Sequence, residues 1–147
     1  MHVAPADVVP EPTTVLGNWY ANILFYRPHH VVLCVSERTL LPVLIPSAPL
    51  KTFAPRMRDA VVDHLRAIEI PEARIEEEAA AMSVALLTTT ESKSVVSSMN
   101  DFARMLDHFI GSGLALPAIA RELADTPCGP LDMGSPERIT RARMGAV

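Results

Sequence analysis

The chain has 147 residues, 49% of them hydrophobic and 20% charged, a balance that suits one globular domain and excludes a disordered or fibrous chain. Its net charge is −4, with ten acids against seven bases in residues 51–110, so the main body lacks the basic excess of a broad phosphate-binding surface. Two distant cysteines, Cys34 and Cys128, have no metal-ligand spacing, and no apolar run approaches the roughly 20 residues that span a bilayer.

Residues 1–14 carry three prolines and little apolar periodicity, which predicts a flexible N-terminal arm. They show no basic start followed by an apolar run, so no signal peptide is expected, and the reducing cytoplasm is the expected location. From Trp19 to Tyr26 the chain alternates. Trp19, Ala21, Ile23 and Phe25 point one way, and Tyr20, Leu24 and Tyr26 the other, which predicts a strand. If the first set faces the core, the second is a candidate docking surface for a partner.

Arg27-Pro28-His29-His30 reads as a turn, and Val31 to Ser36 as a second strand, uniformly apolar and so central, with Cys34 a small buried residue. Ser36 to Thr39 is a polar turn, and Leu40 to Ile45 a third strand. Pro42 cannot donate to a ladder, which places that strand at an edge or a bulge.

Phe53, Met57, Val61, Leu65 and Ile68 fall on one face of a helix that should cover the apolar face of this meander. Thr52 suits its cap, Pro55 its first turn and Pro71 its end. Residues 72–81 predict a short acidic helix, with Glu76-Glu77-Glu78 a solvated face. Residues 82–90 mix helix-favouring alanine and leucine with a threonine run, and are read as a further strand.

A second long helix is expected from Ser98 to Ile110, on the stripe Met99, Phe102, Leu106, Phe109 and Ile110. Ser98 and Asp101 fit a capping box, and Gly111 and Gly113 fit its end. Leu116 to Leu123 predicts a last short helix. Residues 129–147 read as a flexible tail, locally basic through Arg138, Arg141 and Arg143. The expected whole is a single α+β domain over residues 15–128.

Candidate chemistry is sparse. The polar segment 91–101 could hold an anion at the helix start, with Lys93, Ser97, Ser98 and Asn100 as contacts, Asp101 beside them and Arg38 reaching in. It lacks the glycines of a phosphate-cradling loop, and capping explains its serines equally well. His29 and His30 would face opposite ways on an extended chain. His64 and His108, each next to an aspartate, read as surface helix histidines. No metal site, cofactor or catalytic signature follows from these patterns.

Two stretches carry a resemblance. Leu16-Gly-Asn-Trp-Tyr-Ala-Asn-Ile-Leu-Phe25, continuing to Ser36-Glu-Arg-Thr-Leu-Leu41, resembles the opening meander of a family of small uncharacterised bacterial proteins, a domain of unknown function. Ser92 to Phe102 resembles its Ser-Met-Asn-Asp-Phe motif, which is also similar to parts of plasmid pRiA4b ORF-3-like proteins. Lys93 stands where that pattern has arginine, and Ser97 where it has glycine. The resemblance implies the α+β fold and brings no activity with it.

Two functions are compatible with this reading: a non-enzymatic interaction or regulatory module, working through a protein partner or as a homo-oligomer, and a binder or enzyme for a phosphorylated small molecule or nucleic-acid end at residues 91–101. Other nucleic-acid contact would have to come through the basic tail, and no membrane association is expected.

Overall fold

The computed structural model describes residues 15–26, 29–82, 87–88 and 93–145. Strands β1 (Trp19–Leu24), β2 (Val31–Ser36) and β3 (Pro42–Pro46) form an antiparallel meander, and β4 (Leu87–Thr88) adds to β1 in parallel, giving the order β3-β2-β1-β4. Around them lie α1 (Phe53–Ala67), α2 (Glu72–Met82), α3 (Lys93–Phe109), α4 (Leu116–Ala124) and α5 (Pro136–Arg143). The α+β class is as the sequence predicts.

The central strand β2 is buried at every position because both of its faces are covered. Val32 and Cys34 join one core with Trp19, Val43 and Ile45, packed under Met57, Val61 and Leu65 of α1 and Ile75 of α2. Val31, Leu33 and Val35 join a second core with Phe102 and Leu106 of α3 and Ile119 and Leu123 of α4. One helix on one apolar face was the expectation; the sheet instead lies between two helical layers. This is how two-residue alternation and uniform apolarity coexist in β2, since each parity has its own core.

Several expectations are corrected by that second layer. Tyr20 is buried among α3 residues, and Leu24 and Tyr26 pack against the same core, so this set is not a free docking face. The Tyr26 hydroxyl donates to Asp107 Oδ1 of α3 at 2.5 Å. β1 ends at Leu24, and beyond the cover of α1 its other parity leaves Ile23 and Phe25 exposed.

α3 begins at Lys93, five residues before the expected start, because Val95 extends the stripe of Met99, Phe102 and Leu106 one turn back. Ser98 therefore sits inside the helix and is no cap. Asp101 pairs instead with Arg104 one turn on, an exposed contact of small energetic weight. Thr52 does occupy the cap position of α1, but its side chain caps nothing there; it donates to the Pro49 carbonyl at 3.2 Å and accepts from Arg56 Nε at 3.0 Å.

Pro42 opens β3 at the sheet's edge, where its missing N–H costs no ladder bond. Leu40, expected inside that strand, lies in the turn with a φ of 61°. Of residues 82–90, Met82 belongs to α2 and Leu87–Thr88 form β4; residues 83–86 and 89–90 lie outside the described residues, as do the arm 1–14 and Arg27–Pro28.

Two buried polar groups tie distant segments together. Glu78, expected in a solvated face, is 2% exposed, and its carboxylate accepts the backbone N–H groups of Val15 at 2.9 Å and Leu16 at 3.3 Å. The chain then crosses the β2–β3 turn at Gly17 (φ 78°), where a Cβ would stand 2.8 Å from Glu37 Oε1 and 2.9 Å from Arg38 Cγ. Only glycine fits both the backbone and the space.

Residues 129–145 carry α5 and pack against the body. The Ser135 hydroxyl caps α5 by accepting from Arg138 N at 3.2 Å, Met144 is 1% exposed within the first core, and Thr140 Oγ1 donates to Thr39 Oγ1 at 2.9 Å.

Candidate functional site

The stripe that buries α1 has a polar member. Met57, Val61, Leu65 and Ile68 follow helical spacing, and position 64 falls between Val61 and Ile68 on the same face. His64 is consequently 5% exposed, not a surface residue. Neither of its ring nitrogens makes a hydrogen bond. Burial holds its pKa down at about 4, the Pro42 backbone pulls the other way, and the positive charge of Arg121 adds to the depression. With no bonded acceptor, Pro42 acts on the ring as a nearby dipole, and the ring is neutral at pH 7.

His64 lines a cavity of about 420 Å³ between α1, β3 and α4. Its wall is largely apolar, built from Val43, Leu44 and Ile45 of β3, Ala60 and Ala67 of α1, and Leu116, Pro117 and Ala120 of α4. Four charged residues complete it: Arg56, Asp59, Asp63 and Arg121.

Arg56 is committed to the scaffold, donating to the Pro46 carbonyl at 2.7 Å, the Pro49 carbonyl at 2.6 Å and the Thr52 hydroxyl. Asp63 approaches Arg66 at 3.9 Å. Arg121 makes no hydrogen bond or ion pair through its side chain among the described residues. A concave, mostly apolar space of this size with a few converging polar groups has the make-up of a small-molecule site. It can hold an apolar body and offer a neutral imidazole and a guanidinium to a polar head.

The residues singled out from sequence lie elsewhere. Lys93 opens α3, while Ser97, Asn100 and Asp101 are exposed one to two turns further in, on one helical face. Ser98 is turned away from them, 3% exposed in the protein interior. The free N–H groups of a helix belong to its first turn, so Asn100 and Asp101 stand past them. Arg38 is an exposed residue of the β2–β3 turn, packed over Gly17.

Sequence reasoning missed His64 and Arg121. The signal available for His64 was its position within the α1 stripe; for Arg121 there was none, because its role depends on α4 packing beside β3. Cys34 is buried with its thiol pushed up to about 12 by desolvation, and Cys128 belongs to the opposite core. No helix among the described residues is long and apolar enough to cross a membrane.

No curated protein matches the chain in sequence. The model of a family described as a domain of unknown function, DUF6933, matches residues 1–139, and the chain belongs to that family.

Proposed function

We propose that this protein is a non-enzymatic binding module, serving interaction or regulation, whose ligand site is the cavity between α1, β3 and α4. The observation that carries this reading is His64: a polar ring inside the fold, near the Pro42 carbonyl but in no well-formed hydrogen bond, on the wall of a space of about 420 Å³. A buried polar group left unsatisfied costs roughly 1–3 kcal/mol, so a molecule that hydrogen-bonds it gains affinity on entering. The wall supplies no hydroxyl, thiol or amine nucleophile, which favours binding over covalent chemistry. Ile23 of β1 and Phe25 just beyond its end, both exposed, add support for a protein-interaction role.

The test is titration with a neutral apolar probe, hexanol, followed by melting temperature and calorimetry, beside a cavity-filling Ala60→Leu variant. The reading expects a saturable upward shift in the native protein and its loss in the variant. No shift, or an equal shift in both, would count against the cavity as a site.

A further inference from the structure

The cavity's polar groups carry information about the head of its ligand. Of the two arginines on the wall, Arg56 has its guanidinium spent on two carbonyls and a hydroxyl, and only Arg121 is uncommitted among the described residues. Two carboxylates, Asp59 and Asp63, also line the space, and Asp63 lies against Arg66. Arg121 lines the same cavity as His64, and its positive charge adds to the depression of the His64 pKa that burial causes. On its other side Arg121 borders a second concavity with Glu122, Asp125 and Glu137, and forms no ion pair there.

We propose, building on the reading of the cavity as a ligand site, that its ligand is a small apolar monocarboxylate, with the carboxylate held by Arg121 and His64 and the hydrocarbon body on the β3 and α4 wall. A guanidinium presents a planar fork of donors that matches a carboxylate, and a neutral imidazole adds one N–H. The side chains of Val43, Ile45, Leu116, Pro117 and Ala120 provide no group that a second polar substituent could bond, so the part of the molecule lying on this wall is hydrocarbon.

Three probes of equal chain length separate the possibilities: hexanoate, hexanol and hexylamine, each titrated by calorimetry into the full chain at low salt. Hexanoate is expected to bind about tenfold more tightly than hexanol, as befits a hydrogen bond to a charged group. In Arg121→Gln that preference falls below about twofold. Arg104→Gln, which alters an exposed arginine outside the cavity, keeps it. Equal binding of hexanoate and hexanol, stronger binding of hexylamine, or an undiminished preference in Arg121→Gln would overturn the carboxylate assignment and leave the cavity reading standing. Failure of all three probes to bind would overturn both.

Discussion

The hydroxyls of Thr39 and Thr140 hydrogen-bond at 2.9 Å, both fully buried, across a separation of 101 residues. Thr39 Oγ1 also lies 2.9 Å from the Ser36 hydroxyl, which in turn accepts the backbone N–H of Leu41 at 3.1 Å. A chain of hydroxyls thus runs from the β2–β3 turn to α5, and at its far end Thr140 would lose this buried partner without Thr39. Thr140→Val is expected to lower stability by about 1–2 kcal/mol. Met144→Ala should cost about 2–4 kcal/mol. Denaturant unfolding checks both, and a dispensable tail would give no change in either.

Glu78 makes a comparable link between α2 and the segment entering β1. Its carboxylate accepts two backbone N–H groups, so Glu78→Ala should destabilise by about 1–3 kcal/mol, while Glu77→Ala on the exposed side should stay within about 0.5 kcal/mol. Equal effects at the two positions would mean that Glu78 is not bonded in this way.

His64 gives a pH prediction. Its pKa is about 4 in the fold against 6.5 in the ordinary case, so between these values the unfolded chain binds the extra proton. The stability that this neutral ring confers is therefore present above pH 6.5 and lost as pH falls towards 4, to the extent of about 3 kcal/mol. The groups around it are Arg56, Asp59 and Asp63 on α1, Arg121 on α4 and the Pro42 carbonyl on β3. Chemical unfolding at pH 7 and pH 5 should show this slope in the native chain and a flatter one in His64→Leu. A slope unchanged by the substitution would assign it to other groups.

The two parities of β1 should respond differently to truncation. Phe25 is 76% exposed and Tyr20 lies in the second core, so Phe25→Ser should leave the melting temperature nearly unchanged. Tyr20→Ala should cost about 3 kcal/mol or more, as large-to-small changes in a core do. A large loss from Phe25→Ser in dilute protein would show that its ring is covered, as in a self-associated form.

The meander was legible because strand periodicity is local: β2 has the bounds read from its apolar run, and Pro42 marked the edge strand. What lay beyond local pattern was harder to read. The serines before Met99 suggest a capped start, yet Val95 already belongs to the buried stripe, and only the presence of a second core decides that. α5 reads as polar tail because Glu137, Arg138 and Arg143 dominate its composition; its burial rests on Pro136, Thr140 and the adjoining Met144. The site was missed for the same kind of reason. His64 looks like a surface residue beside Asp63, and its neighbours across the cavity come from β3 and α4, brought there by tertiary packing.

The His64 imidazole can itself report whether the cavity takes a ligand. The chain has five histidines, of which His29, His30 and His108 are exposed. Ring proton–carbon correlation spectra, recorded at pH 7 while hexanol or hexanoate is added, should show the His64 signal move saturably while those three stay in place. A His64 signal that does not move, or one that moves only in step with the exposed rings, would contradict the assignment.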